Sequence, residues 1–204
     1  MKTGRKNEML FTDGIVRKTF RSVAAYQREL NIYKRLEGTG LAPALLQSFD
    51  GENTLWISYE GSKTLLDFYE RCERTDELMK YLSTAKKLID SLVGFNKITG
   101  MIYGDVNLKN FLLKDDGICC IDFEDSREGD IHEDIAESLL FHLTYTPSLT
   151  SFKKDICRRI AEYFLSLPDA DRETLRRYFY VGLENLEKRR GIKVVRDFGY
   201  EVPI

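Results

Sequence analysis

The stretch "IYGDVNLKNFLLKDDGICCIDFED", residues 102–125, contains the pattern that decides the fold. Asp105 is followed five residues later by Asn110, and Asp122 follows three apolar or thiol residues after a turn. The two apolar runs on either side of "KDDG" predict a hairpin of short buried strands. Two carboxylates and a carboxamide are therefore expected at strand ends, where the backbone is rigid and the side chains are accessible.

These three side chains suit a divalent cation. Mg²⁺ takes oxygen ligands, usually one or two protein carboxylates, and substrate phosphates and water complete its octahedron. Asp105 or Asp122 alone is explained equally well as a turn or cap residue. The spacing of both with Asn110, with a hairpin between them, favours a metal site.

The composition indicates a folded, non-membrane protein. The chain has 204 residues, 43% of them hydrophobic and 31% charged, with a net charge of −2. This charge gives no field that would attract nucleic acid or an anionic membrane. No apolar run approaches the roughly 20 residues that span a bilayer, and no signal peptide is expected. Four cysteines without CxxC spacing predict free thiols and a cytoplasmic location.

The order of predicted elements favours an α+β fold in two lobes. The start of the chain predicts a hairpin around an Asp-Gly turn, then a helix capped by Ser22, then two further β segments. Residues 65–99 predict a helical stretch, and three more helices follow the central hairpin. We expect a small β-rich lobe with one helix over residues 1–60 and a helical lobe over residues 61–204 that carries the hairpin.

Two segments carry a family resemblance. "YGDVNLKNFLL" resembles the catalytic loop of the protein-kinase-like superfamily, and "CCIDFED" resembles its metal-binding segment. "IDFEDSREGDIHEDIA" is similar to the aminoglycoside phosphotransferase and choline kinase branch. The chain is as small as the lipopolysaccharide kinases. The resemblance implies a bilobal protein-kinase-like fold with a reduced N-terminal β lobe and a mainly helical C-terminal lobe.

The resemblance implies a role for each of these residues. Asp105 would accept the proton of a substrate hydroxyl or orient that hydroxyl. Asn110 and Asp122 would hold Mg²⁺ against the phosphates of ATP. Asp134 would brace the catalytic loop from the following helix, although an exposed helical acid is the simpler explanation of that residue alone.

The small lobe offers a partner for the nucleotide. Glu29 lies on the apolar face of the first predicted helix, between Tyr26 and Tyr33, and an acid placed there needs a buried partner. The resemblance supplies Lys18, on the second predicted strand, as that partner and as a contact of the phosphates. Alternatively, Lys18 is a solvated strand residue and Glu29 a solvated helical acid.

The resemblance also implies an adenine site. Val16 and Leu112 would enclose the base, and backbone groups from Tyr59 through Glu60 to Gly61 would bind its edge. Both apolar residues could equally be ordinary core. Trp56 is expected in the core.

Three positions depart from the family pattern. The chain contains no GxGxxG, and only Gly4 precedes the first hairpin. Tyr103 stands where a histidine is usual. Asn107 stands where protein kinases commonly keep a lysine that meets the transferred phosphate, and Lys109 is nearby on an undetermined face. The basic run of residues 188–190 is explained by compensation of a helix dipole or as a basic tail.

These observations predict an ATP- and Mg²⁺-dependent phosphotransferase that acts on a hydroxyl. Only about ten residues separate Asp122 from the next helix, which is too few for a segment that docks a peptide. We therefore expect a small-molecule acceptor, and neither nucleic acid nor membrane as a partner. The alternatives are an atypical small protein serine/threonine kinase, a kinase-fold binding module without turnover, and a carboxylate-metal hydrolase of unrelated fold.

Overall fold

A four-stranded antiparallel sheet forms the first part of the chain. The computed structural model describes residues 7–115 and 117–190; Gly4 and the chain beyond Arg190 lie outside them. The strands follow the order β1-β2-β4-β3 across the sheet. Their bounds are β1 Glu8–Thr12, β2 Ile15–Thr19, β3 Leu45–Phe49 and β4 Thr54–Ser58.

Turn chemistry explains the strand connections. Asp13 and Gly14 both have positive φ angles, 46° and 78°, as a two-residue hairpin loop requires. β3 and β4 are joined by a 3-10 turn over Asp50–Glu52, after which Asn53 adopts a φ of 48°. The predicted hairpin and the predicted turn between the later strands are both confirmed.

The helix α1, Val23–Leu36, lies between β2 and β3 in the chain. The Ser22 side chain accepts a hydrogen bond from the Ala25 amide, which confirms the predicted cap. Tyr26, Leu30 and Tyr33 are buried on the face that packs against the rest of the protein.

The remainder is mainly helical, with a second, two-stranded sheet. This sheet pairs β5 Phe111–Leu113 with β6 Ile118–Cys120 in antiparallel register, as predicted. The helices are α2 Leu65–Arg74, α3 Leu78–Thr99, α4 Ile131–Thr144, α5 Ser151–Leu165 and α6 Arg172–Arg190.

The predicted helical stretch of residues 65–99 consists of two helices, with a break that the sequence did not predict. Residues 75–77 separate α2 from α3, and Asp76 there has a φ of 54°, which no α-helix accommodates. Thr64 and Asp67 form a reciprocal capping box at the start of α2.

An aromatic cluster joins the sheet side to the helical side. The rings of Phe95 and Phe123 stack with their centroids 5.6 Å apart, and Tyr33 of α1 meets Phe123 edge-on at 5.3 Å. Each buried ring contributes about 2–3 kcal/mol through removal from water. Because Phe123 directly follows Asp122 in the chain, this packing restrains the position of Asp122.

The architecture confirms the predicted α+β class and agrees with a small kinase-like bilobal fold. Among the described helices, none is both long and apolar enough to cross a membrane. Trp56 is only partly buried, so its expected place in the core is a partial error.

Candidate active site

A cavity of about 740 Å³ opens between the four-stranded sheet and the β5–β6 hairpin. We call it the nucleotide cavity, after the ligand that the family resemblance implies for these residues. Its walls include nine of the residues that the sequence nominated: Val16, Lys18, Glu29, Tyr59, Glu60, Gly61, Asn110, Leu112 and Asp122. Asp105 lines a second cavity, beside α4 and α6.

Lys18 is shared by two carboxylates. Its Nζ lies 3.0 and 2.8 Å from the two oxygens of Glu29 and 2.7 Å from Oδ1 of Asp122. Lys18 is 5% exposed and Glu29 is fully buried. The expected pairing of Lys18 with Glu29 is therefore present, whereas a solvated lysine and a solvated helical acid are not.

Burial and charge oppose each other within this ion pair. Burial alone would lower the pKa of Lys18, but Glu29 and Asp122 together hold it above its ordinary value. Burial raises the pKa of Glu29 to about 7, although Lys18 acts to lower it. Lys18 is thus a permanent cation facing the cavity.

Asn110 connects the two sides of the catalytic loop. It ends the 3-10 turn Leu108–Asn110, in which the Lys109 amide donates to the side chain of Asn107. The Nδ2 of Asn110 donates to Oδ2 of Asp105 at 3.0 Å and to the Asp105 carbonyl oxygen at 3.2 Å. Asn110 also lines the nucleotide cavity. Its side chain therefore contacts both that cavity and Asp105, the candidate base.

The donor set fits a magnesium ion. Asp122 lies in the left-handed region with a φ of 68°, and its side chain is 41% exposed. Its second carboxylate oxygen and the Asn110 side-chain carbonyl accept no hydrogen bond from any described residue. The described residues hold no cluster of three or more His, Cys, Asp or Glu that could bind a metal. Carboxylate and amide oxygens are ligands that Mg²⁺ takes from proteins, with phosphates and water completing its coordination, so Asp122 and Asn110 are the residues that would hold the ion.

The catalytic loop is fastened to α4 by Asp134. Its Oδ2 accepts from the Tyr103 amide at 2.6 Å and its Oδ1 from the Gly104 amide at 2.9 Å. Burial raises the pKa of Asp134 to about 6, and these two amides act to lower it. The bracing contact that the resemblance implied is present.

Gly104 cannot be replaced without moving the backbone. Its φ is +85°, and a Cβ there would lie 2.3 Å from the carbonyl oxygen of Asp125. The loop that presents Asp105 therefore passes against the segment that follows the β5–β6 hairpin, at a distance only glycine permits.

Tyr103 performs an anchoring role at the position of the usual histidine. Its ring is fully buried, and its hydroxyl donates to the carbonyl oxygen of Ile121. Burial raises the pKa of Tyr103 well above its ordinary value, so the hydroxyl remains a neutral donor. Tyrosine thus ties the catalytic loop to the strand that leads into Asp122.

The surroundings of Asp105 make it a stronger base than a free aspartate. Burial raises its pKa, the hydrogen bond from Asn110 acts to lower it, and the charges of Asp125 and Asp122 raise it further. A raised pKa favours proton acceptance from a hydroxyl.

The far end of the nucleotide cavity contains the predicted adenine-site residues. Val16 and Leu112 are 6% and 7% exposed and lie in its apolar part. The Glu60 side chain accepts hydrogen bonds from Lys114 and Ser58, and the Lys114 bond lowers its pKa. The Glu60 carboxylate is thus engaged within the protein.

Sequence reasoning missed or left open three contributions. Met9 and Phe11 of β1 also line the nucleotide cavity, as does Lys109, whose direction was undetermined. Glu137 of α4 accepts a hydrogen bond from the Val106 amide at 3.3 Å and was not nominated. Its position three residues after Asp134, on the same helical face, was the available signal.

Comparison with known proteins gives one family. The model of the APH phosphotransferase enzyme family matches residues 63–178, more than half of the chain. No curated protein gives a significant match. The chain therefore belongs to the APH phosphotransferase enzyme family, within the protein-kinase-like superfamily.

Proposed function

We propose that this protein transfers the γ-phosphate of ATP to a hydroxyl group, with Mg²⁺ as the cofactor. The observation that carries the proposal is the contact between Lys18, Glu29 and Asp122 on the wall of a cavity that Asn110 also lines. Phosphoryl transfer demands positioned cations and little covalent chemistry from the protein. This arrangement provides them.

The roles follow from the contacts. Lys18 binds the phosphate chain, and Glu29 keeps its amine directed into the cavity. Asn110 and Asp122 would hold Mg²⁺, which would supply positive charge to neutralise the phosphate oxygens. Val16 and Leu112 enclose the base, and the backbone at Glu60 and Gly61 binds its edge.

Asp105 receives the proton of the acceptor hydroxyl. The hydrogen bond from Asn110, which lines the nucleotide cavity, fixes the orientation of this carboxylate. The acceptor oxygen would attack the phosphorus in line with the leaving oxygen of ADP. The acceptor is a small molecule, since the segment from Asp122 to α4 is too short to dock a peptide.

The organisation of the chain supports this division of labour. We infer a small lobe over residues 1–60 and a helical lobe over residues 61–204, with the nucleotide between them. All four thiols are free and buried, as expected in a reducing cytoplasm.

Nucleotide binding is tested by thermal denaturation with ATP, with and without Mg²⁺. A ligand that binds only the folded state raises the melting temperature, so a metal-dependent increase is expected. Asp122→Asn should abolish the effect of the metal, whereas Asp169→Asn, an exposed aspartate beyond α5, should not. No increase at millimolar ATP would contradict the proposal.

Turnover is tested by ADP release. Asp105→Asn retains the size of the side chain and removes the base, so we expect release to fall by a factor of about 100 or more, while the thermal effect of ATP persists. Equal ADP release by the parent and this variant would exclude Asp105 as the base.

One observation favours a second candidate, a nucleotide-binding module without turnover. The two-residue turn at Asp13 and Gly14 is all that joins β1 to β2, and the described residues contain no glycine-rich loop over the phosphate end of the cavity. Metal-dependent ATP binding without any ADP release, whatever hydroxyl compound is added, would favour this candidate.

A further inference from the structure

Two acids on one face of α4 contact the catalytic loop on either side of Asp105. Asp134 accepts hydrogen bonds from the two backbone amides that precede Asp105 in the chain. Glu137 lies three residues later on the same helical face and accepts from the amide of Val106, directly after Asp105, at 3.3 Å. The backbone before and after the candidate base is therefore attached to one helix.

The peptide group that joins Asp105 to Val106 is held at both of its polar atoms. Its carbonyl oxygen, which belongs to Asp105, accepts from Nδ2 of Asn110 at 3.2 Å. Its N–H, which belongs to Val106, donates to Glu137. A peptide group is planar, so two hydrogen bonds on opposite edges restrain its rotation. This rotation would otherwise change the backbone angle at Asp105 and redirect the backbone around the base.

Other contacts leave this peptide as a distinct point of control. The Val106 side chain is fully buried, which anchors the chain just beyond the peptide. The hydrogen bond from Asn110 to Oδ2 of Asp105 orients the carboxylate itself. Asn110 thus contacts the side chain and the carbonyl of Asp105, and Glu137 provides the restraint from the side of α4.

The contact between Glu137 and Val106 does not require a charge. Burial raises the pKa of Glu137 to about 7, the Val106 amide acts to lower it, and the neighbouring acids Asp105 and Asp134 raise it. Arg189 of α6 also faces Glu137 and acts to lower the pKa. A protonated carboxyl keeps a carbonyl oxygen that accepts a hydrogen bond, and a glutamine side chain offers the same oxygen.

We propose that Glu137 is a positioning residue for the reaction: it holds the N–H of the peptide that follows Asp105, while Asn110 holds the carbonyl, and so keeps the base aligned with the acceptor hydroxyl. The proposal rests on the phosphotransferase function. Glu137 acts through Asp105 and takes no proton itself. Small displacements of a catalytic group are costly, since about 1 Å of misplacement lowers a rate by a factor of roughly 100.

The contact is tested by amide hydrogen exchange, followed by NMR on the full chain. Glu137→Leu removes the acceptor and should speed exchange of the Val106 amide at least about tenfold. The amides of Tyr103 and Gly104 should exchange as in the parent, because Asp134 still binds them. Glu137→Gln should leave all three amides near their parent rates. Unchanged exchange at Val106 in Glu137→Leu would overturn the proposal.

The catalytic effect is tested by steady-state ADP release from ATP and Mg²⁺. We expect Glu137→Leu to lower kcat by a factor of about 10 to 100 while the KM for ATP stays unchanged. Glu137→Gln should restore kcat to within about threefold of the parent. The control is Glu133→Leu, on the same helix, whose carboxylate pairs with Arg127 at 2.5 Å and not with the loop. It should change neither kcat nor the exchange of Val106.

A structural role or a role of the charge would give other results. Loss of folded protein alone would lower the melting temperature of Glu137→Leu but leave kcat per ATP-binding molecule at the parent value. If Glu137→Gln lost as much activity as Glu137→Leu, the carboxyl proton or charge would matter, and positioning through the amide would be wrong.

The failure of this proposal differs from the failure of the phosphotransferase function. If the parent shows neither metal-dependent ATP binding nor ADP release, the function fails and the role of Glu137 fails with it. If ADP release depends on Asp105 but Glu137→Leu releases ADP at the parent rate, the function stands and Glu137 does not position the base.

Discussion

Replacing Lys18 by methionine leaves Glu29 buried without its cation. The Lys18 amine makes three contacts of 2.7 to 3.0 Å with Glu29 and Asp122, and the Glu29 side chain is fully buried. Breaking a buried pair by removing one partner costs about 3–5 kcal/mol. Asp122 adds little, because its side chain is 41% exposed and water replaces the lost contact. We expect Lys18→Met to lower the free energy of unfolding by about 3–5 kcal/mol at pH 8.

The cost should shrink at low pH. Burial holds the pKa of Glu29 at about 7 even with Lys18 present, so the orphaned carboxyl takes up a proton readily as the pH falls. Below that pKa, the parent also carries a mostly neutral Glu29 and gains less from Lys18. The difference between parent and variant at pH 5 is therefore expected to be smaller than at pH 8.

Urea denaturation followed by circular dichroism measures these differences. Arg17→Met is the matched control, because Arg17 lies on the same strand and makes an exposed ion pair with Glu52 at 3.2 Å. That pair should contribute only about 0–1 kcal/mol. The double variant Lys18→Met/Glu29→Met should recover to within about 1 kcal/mol of the parent, since apolar replacement of both partners is often neutral.

Two results would refute this reasoning. Lys18→Met might cost no more than Arg17→Met, which would mean that the pair is solvated. The double variant might be no more stable than Lys18→Met, which would mean that the cost arises from packing and not from an unpaired charge.

Three further predictions concern other parts of the site. Gly104→Ala should lower the free energy of unfolding by about 2–5 kcal/mol, because of the φ of +85° and the contact with Asp125. Gly38→Ala, at a position with open space, should cost about 1 kcal/mol. Chemical denaturation compares the two variants, and equal costs would contradict the close approach at Gly104. The pKa of Glu137 is raised to about 7 in the folded state. As the pH rises from about 4.5 to 7, the parent should therefore lose up to about 3 kcal/mol of stability relative to Glu137→Gln. An equal difference in unfolding free energy between the two proteins at pH 5 and at pH 8 would contradict the raised pKa. Lys109→Ala should raise the KM for ATP about tenfold by removing a cation from the nucleotide cavity, and an unchanged KM in a steady-state assay would show that Lys109 does not meet the phosphates.

Local signals in the sequence predicted most of the elements. The Asp-Gly turn, the Ser22 cap and the "KDDG" turn each specify a backbone geometry within a few residues, and the structure has all three. The break between α2 and α3 was missed because neither glycine nor proline occurs there. Asp76 adopts its left-handed conformation within an otherwise helical run of polar residues.

In the candidate site, too, local sequence patterns indicated some residues and not others. Glu29 could be nominated because an acid on an apolar helical face needs a buried partner. Glu137 and Asn185 could not, since each resembles an ordinary polar residue of a helix. Both line the second cavity because α4 and α6, about 40 residues apart in the chain, approach closely at Gly182, and no local pattern encodes that distance.

The bond between Lys18 and Asp122 has a consequence for the order of binding. Without nucleotide, the Asp122 carboxylate, which would bind the metal, forms an ion pair with the Lys18 amine, which would bind a phosphate. In the proposed reaction, Asp122 would leave Lys18 to bind Mg²⁺, and Lys18 would leave Asp122 to bind a phosphate of ATP. Each ligand would therefore free the side chain that the other one binds. Metal and nucleotide should thus assist each other, and metal-free ATP must compete with an internal anion that is already in place.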